Sequence, residues 1–558
     1  MVRKIFRILY QETETLHQAA LLLGSFAILS QALAFLRDRL LAHIFGASAA
    51  LDIYYAAFRV PDIIFVTVAS VVSLSVLIPF IIEREAKSVE ALRAFVNNIF
   101  SFFSILIITV SGLAFLLLPA ISQFLFAGFS DAAMAEVVFI SRILLLSPII
   151  LGFSNLFGSL TQAYNRFILY ALAPLLYNAG IIAGIVLLAL RWGVLGVAIG
   201  VVAGASLHAL VQVPFIVKAG LFPRLSLKLD FPLIAQVVKI SMPRTLTLAM
   251  SAIALIFLVS LASFMADGSI SVLSLAFNFQ SVPLSIIGVS YSLAAFPTLS
   301  RRFRENNLEA FKEQMSTTAR FIIFWSLPLS ALFIVLRAQI VRVILGSGLF
   351  GWDDTRLTAA ALALFVVSSM FQCLLLLFMR GFYSAGFTKK PFVINLASTV
   401  MMVAGTWWLV NLFHASEGFR YFVSTLLKVE DLSNTAVLML PLGFSLGTIL
   451  NGCLHWFAFE RTFPGFSRGV TRALFEGLGT AVIMGTAAYF GLNIFAPWLD
   501  TTSLIGIFLQ GLLAGLFAIA VGIGILFILR SRELFEVGSA LYQRFWKAKV
   551  IATDPEIV

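Results

Sequence analysis

Apolar runs of about 20 residues recur along the whole of this 558-residue chain, and that repetition constrains its fold more than any other feature. A helix of about 20 residues spans the roughly 30 Å hydrocarbon core of a bilayer. A lipid environment leaves backbone polar groups no solvent partner, so such segments must be helical or belong to a closed barrel. Charged residues make up only 12% of the chain, against about 25% for a soluble protein. The fold class expected is an all-α polytopic membrane protein. Fourteen helix-length segments are read at 18–36, 52–82, 95–126, 137–164, 168–190, 193–217, 237–264, 270–298, 318–345, 357–385, 391–413, 434–459, 473–498 and 503–529.

The net charge of +11 does not indicate nucleic acid, because the basic residues sit in short loops between apolar spans. Lys and Arg concentrate in both termini and in alternate loops, whereas the other loops are acidic or neutral, as at Asp131/Glu136, Asp267, Asp353/Asp354 and Asp500. The positive-inside rule then puts both termini in the cytoplasm. Residues 1–17 read as a basic amphipathic lead-in lying on that surface, with too many charges for a cleavable signal peptide. Cys373 and Cys453 each lie inside an apolar run and read as small buried hydrophobes rather than a disulfide pair.

The chain repeats itself. GVAIGVVAGASLH carries Gly196, Gly200, Leu207 and His208, and GFSLGTILNGCLH carries Gly443, Gly447, Leu454 and His455 at the same spacing, 247 residues later. Pro174/Asn178 and Pro391/Asn395 repeat in the preceding segments. The organisation expected is an N-lobe at 18–217, a C-lobe at 218–459, a helix pair at 460–529 and a cytoplasmic tail at 530–558. Parallel halves of this kind are a recurrent transporter plan, with the substrate route between them. The glycines at four-residue spacing serve close helix approach. The in-segment prolines Pro61, Pro79, Pro148, Pro174, Pro283, Pro328 and Pro441 are either bending points or packing kinks.

No nucleotide-binding loop, metal-spaced His/Cys cluster or paired catalytic carboxylates are present, so neither an enzyme nor an ATP-driven pump is expected, and no cofactor, metal or nucleic-acid partner. Phenylalanine, 55 residues in all, reads as lipid-facing bulk. What remains is charge at membrane depth, which is costly unless paired or solvated and marks candidate sites. Arg37–Asp38–Arg39 falls at the outer end of the first segment. It is either snorkelling at the interface or a basic cluster suited to a phosphate or diphosphate, since a guanidinium offers paired donors. Arg59 and Arg142 lie just inside their segments, while Arg244 and Arg380 sit near cytoplasmic ends, where snorkelling competes with a binding role.

The run FLRDRLLAHIFGASAALDIYYAAFRVPD, followed in order by AYNRFILYALAPLLYN, MPRTLTLAM, PLSIIGVSYSLAAFPTLSRRF and MRGFYSAGFTKKPFVIN, strongly resembles the MurJ/MviN lipid II flippases of the MOP exporter superfamily. The likeness extends from about residue 18 to 525. The resemblance implies fourteen helices in two lobes plus a terminal pair, a central cavity that accepts an undecaprenyl-diphosphate-linked glycopeptide, and a groove in the last pair for the lipid tail. It also implies a bacterial cytoplasmic membrane, with lipid-linked glycan and membrane lipid as partners. Arg37, Asp38 and Asp52 match charged positions of the family, and Arg59 a position basic in relatives. Gln31, the pair Phe65/Val66 and Asn278 stand where relatives carry arginine. The substrate-binding set implied is Arg37, Asp38, Asp52, Arg59, Arg142, Arg244 and Asn278. Competing functions are export of another lipid-linked oligosaccharide, MATE-like antiport, and a non-transporting membrane scaffold. An antiporter would need a membrane-embedded carboxylate for its cation, and Asp38 and Asp52 both lie beside arginines.

Overall fold

The computed structural model describes residues 16–69, 74–226 and 228–545, whose regular structure is helical, with no strand among them. The lead-in expected at 1–17 lies almost wholly outside the described residues, as does the end of the tail. Ten helices among the described residues are long and apolar enough to cross a membrane, or eleven if the pair Trp352–Val366 and Ser369–Ser384, bent by 42°, is one span. That is fewer than the fourteen segments expected. The three remaining segments are a 30-residue helix, a run of short helices and a 32-residue helix.

The first of these is α1 (Leu16–Phe45), whose C-terminal part carries Arg37–Asp38–Arg39. The second expected segment is not one rod but three helices in succession: α2 (Ala49–Ala57), α3 (Arg59–Val68) and α4 (Leu74–Glu85). Phe58 is the shared boundary of α2 and α3. The chain continues as α5 (Val89–Leu125), α6 (Asp131–Leu144), α7 (Leu146–Ala163), α8 (Phe167–Trp192), α9 (Val194–Leu210), α10 (Val213–Lys218) and α11 (Phe231–Ala262). Ser88 and Ser130 cap α5 and α6, accepting from Ala91 N at 3.0 Å and Ala133 N at 3.3 Å, which satisfies amide donors that a helix start leaves open.

Next comes α12 (Ser269–Pro283), continued through a π-helical turn at Leu284–Val289 into α13 (Ser290–Arg304). Pro283, which cannot donate to a helical ladder, immediately precedes that irregular turn. The remaining helices are α14 (Leu308–Val335), α15 (Arg337–Leu345), α16 (Trp352–Val366), α17 (Ser369–Ser384), α18 (Lys389–Ala415), α19 (Glu417–Leu427), α20 (Met439–Thr462), α21 (Phe466–Phe495), α22 (Leu504–Ile528) and α23 (Arg532–Phe545).

The chain forms two compact bodies. The first comprises 1–277, 341–361 and 392–447, and the second 278–340, 362–391 and 448–558. In the first, Phe95, Phe103, Leu118, Leu156 and Leu160 form a buried core. The glycines of the repeat allow close approach there, as expected. A Cβ on Gly184 of α8 would lie 2.5 Å from the Cα of Gly200 on α9, and one on Gly443 would meet the Thr406 side chain. His208 accepts a helix-packing role, with Nδ1 2.7 Å from Ser154 Oγ.

Phenylalanine is only in part surface bulk: Phe124, Phe457 and Phe475 are exposed, but the second body uses the residue differently. Phe311, Phe378, Phe382, Phe459, Phe463 and Phe466 form its core, with Phe459 and Phe463 centroids 4.9 Å apart. Rings of this size fill interhelical volume well and pair edge to face. Cys373 is buried, as expected, but Cys453 is exposed. Apolar character alone does not distinguish a side chain facing lipid from one facing a neighbouring helix, which is why the sequence placed both inside.

Candidate functional site

The Arg37 guanidinium is held from two helices. Its Nε and Nη2 donate to Asp38 Oδ1 at 2.9 and 2.8 Å, and its Nη1 donates to Asn178 Oδ1 on α8 at 3.2 Å. Asn178 is itself fixed, with Nδ2 donating to Pro174 O at 3.2 Å and Ser30 Oγ at 3.4 Å. Asp38 is 3% exposed, so its charge is compensated inside the protein rather than by water. A guanidinium has five N–H donors, and three are engaged here. Two remain on a side chain that keeps 21% of its surface open.

Arg39 leaves this group. Its Nη1 donates to the Val343 and Ile344 carbonyls at 2.7 and 3.1 Å, at the end of α15. Carbonyls there lack helical donors and carry the negative end of the helix dipole, so Arg39 is a helix clamp. The expected Arg-Asp-Arg cluster therefore contributes one open cation, not two.

Asp52 is buried at the start of α12. Its Oδ2 accepts from Gly268 N at 2.7 Å, and its Oδ1 accepts from Ser271 N at 2.7 Å and Ser271 Oγ at 2.6 Å. A carboxylate here satisfies open amides and faces the positive end of the helix dipole. Sequence alone could not assign this partner, which lies 216 and 219 positions away.

Arg59, 8% exposed, opens α3. Its Nη2 donates to Ser274 Oγ at 3.2 Å, and its buried Nε has no partner among the described residues. Ser271, Ser274 and Asn278 follow one another at helical spacing along α12. Asn278, half-buried, belongs to the second body, and its carbonyl accepts from Ser281 Oγ at 2.7 Å. Arg142 is not brought to this group: it lies over the Phe115 ring at 4.7 Å and donates to the Phe115 carbonyl at 3.4 Å. The side chain of Arg244 lies outside the described residues, although its backbone is part of α11.

Four residues near the site were not singled out by the sequence. Tyr54 and Tyr55 are buried, and Tyr177 is half-buried. All three lie within electrostatic reach of Arg37. Asp62 is exposed and within reach of Arg59. The signal for Asp62 was its place three residues after Arg59 in RVPD, a spacing that keeps both on one side of a helix. Nothing in an aromatic pair such as Tyr54–Tyr55 distinguishes a site wall from ordinary packing. Among the described residues no group of three or more His, Cys, Asp or Glu is placed to hold a metal ion.

The family profile described as "Lipid II flippase MurJ" matches residues 41–510. A "Lipid II flippase MurJ" of Burkholderia cenocepacia is 23% identical over 504 residues, covering 86% of this chain and 96% of that protein. A "Probable lipid II flippase MurJ" of Buchnera aphidicola is 27% identical over 381 residues, covering 67% of this chain and 74% of that protein. Among solved structures, a lipid II flippase MurJ in an inward closed conformation superposes with a TM-score of 0.68 at 20% identity, covering 94% of this chain and 99% of that one. An inward-facing MATE multidrug transporter of the MOP superfamily gives 0.61 at 16% identity, covering 80% of this chain and 99% of that one. The two superpositions show a shared fold. With the family profile running across most of the chain, this multi-pass, all-helical membrane protein belongs to the MurJ lipid II flippase family, a family of transporters rather than enzymes.

Proposed function

We propose that this chain moves lipid II, an undecaprenyl-diphosphate-linked peptidoglycan precursor, across the bacterial cytoplasmic membrane. The observation that carries the reading is Arg37. It is a positioned guanidinium on a membrane helix, oriented by Asp38 and Asn178, with two donors still available. A diphosphate taken through hydrocarbon without cationic partners would carry a prohibitive desolvation cost, and a guanidinium meets phosphate oxygens in pairs. Arg59 supplies a second, buried cation whose Nε is unpartnered among the described residues. In this reading Asp38 and Asn178 position Arg37, and Arg142, engaged at Phe115, takes no part.

Within the second body, an apolar cavity of about 630 Å³ lies between α14, α21, α22 and α23, lined by residues that include Trp325, Leu329, Met484, Ile519, Ile523 and Leu534. It supports the placing of the prenyl tail along the final helix pair. The lobes at 18–217 and 218–459 would alternate access to the site, with both termini in the cytoplasm.

The test is complementation of a strain depleted of its lipid II flippase, with membrane insertion checked for every variant. The wild-type chain is expected to restore growth, and Arg37→Ala to abolish it. Arg59→Ala should reduce it, and Arg37→Lys should recover only part, because an ammonium lacks the paired donors. Growth supported by the double variant Arg37→Ala/Arg59→Ala would reject the site.

A further inference from the structure

The charges gathered around Arg37 are balanced before any substrate arrives. Arg37 faces Asp38, and Arg59 has Asp62 as its electrostatic neighbour. Asp52 is committed to the start of α12. The positions Gln31, Phe65, Val66 and Asn278 add no charge. A diphosphate brings at least two negative charges, and it would enter beside a carboxylate that already neutralises Arg59. Like charges brought together in a weakly solvated space favour protonation of one of them.

Asp62 is the carboxylate placed to respond. It sits in the first turn of α3 and is exposed, yet Tyr54 of α2, Arg59 of its own helix and Tyr177 of α8 all lie within its electrostatic reach. Asp62 thus has side chains of three helices among its electrostatic neighbours while remaining exposed. Tyr177 is tied to Ser147 by a hydrogen bond, while the Asp62 carboxylate has no hydrogen-bond or ion-pair partner among the described residues. Asp38, by contrast, accepts two bonds from Arg37. The other elements packed on α3 bring little further charge. None is present on α7, Glu90 and Arg93 lie in the opening turns of α5, α6 carries Asp131 in its first turn, Glu136, and Arg142, which is engaged at Phe115, and α11 carries Lys239 and Arg244.

We propose that Asp62 is a proton-binding site linked to the substrate: it takes up one proton when a diphosphate engages Arg37 and Arg59, and returns it when that diphosphate leaves. Protonation removes the negative charge beside Arg59 and with it the repulsion that the phosphate oxygens would meet there. The inference rests on the diphosphate reading above. Linkage makes the effect reciprocal, so a proton on Asp62 tightens diphosphate binding by the same factor that bound diphosphate favours the proton.

The test is calorimetry of the purified full chain in detergent with geranylgeranyl diphosphate, in buffers of differing ionisation enthalpy, which counts the protons taken up on binding. The ligand's own ionisation contributes equally to wild type and Asp62→Asn, so their difference isolates the side chain. Wild type is expected to take up about one proton more than Asp62→Asn, and Asp62→Glu to restore the uptake. Wild-type affinity should also weaken relative to Asp62→Asn by up to about tenfold per pH unit on the alkaline side, the limit for one linked proton. Equal proton uptake by wild type and Asp62→Asn, with both binding the ligand, overturns the proton site and leaves the diphosphate reading standing. Absence of binding by correctly folded wild type overturns both.

Discussion

Four charged residues within one short stretch do four different things, and the difference lies in their partners. Arg37 is oriented but keeps donors, Arg39 is spent on carbonyls, Asp52 holds a helix start, and Asp62 stands open. Asp52→Ala should therefore behave as a stability lesion and not as a binding lesion. It strands two buried amides and a hydroxyl, at a cost on the order of 3 kcal/mol. The expected outcome is a lower thermal midpoint in detergent with the affinity of the surviving protein for a prenyl diphosphate unchanged, measured by differential scanning and by calorimetry. A selective loss of affinity at unchanged thermal stability would move Asp52 into the binding site. That division of labour was only half legible in the sequence. Hydropathy marks charge that should not be in lipid, and spacing marks neighbours within a helix. Asn178 for Arg37, the Val343 and Ile344 carbonyls for Arg39 and the start of α12 for Asp52 lie 141 to 305 positions away, where no local pattern reaches.

At the scale of elements, the repeat was legible because glycine has a mechanical consequence. Gly180 and Gly184 of α8 meet Gly204 and Gly200 of α9 at backbone distance, and membrane helices gain much of their association from such close contact. Gly184→Leu should force the two helices apart and lower the detergent thermal midpoint strongly. Gly24→Leu, at a glycine whose Cβ would meet nothing within 4 Å, should leave it nearly unchanged. Thermal unfolding of the two variants side by side checks this, and equal melting would remove close packing as the reason for the motif. The broken second segment was not legible. Residues 52–82 are apolar enough to pass as one span, but Phe58 separates α2 from α3. That break lets Arg59 open a new helix, with Asp62 in its first turn. A hydropathy window averages across such a break, although it is the break that sets the direction of both side chains.

For the molecule as a whole, the deciding quantity is parity. Ten or eleven helices qualify as spans among the described residues by length and composition, while the sequence shows fourteen apolar segments. An even count puts the termini on one side and an odd count on opposite sides, so the three extra segments decide the topology. Two of them are single helices of 30 and 32 residues, each long enough to cross at about 1.5 Å per residue. The third is the run α2 to α4, broken at Phe58, and a break of this kind is tolerable at membrane depth where protein or a water-filled cavity covers it. The acidic loops at Asp131, Asp267, Asp353 and Asp500 share one side only if the helix at 231–262 crosses, and fourteen crossings put them opposite the basic termini. A fluorescent protein fused after Val558 should therefore glow, as such fusions mature in the cytoplasm. On a background with Cys453 replaced by serine, a cysteine placed at Thr501 should react with an impermeant maleimide added to intact spheroplasts, and one placed at Lys312 should react only after permeabilisation. A dark fusion together with labelling of position 312 from outside would invert the topology and move Arg37 to the cytoplasmic end of its helix.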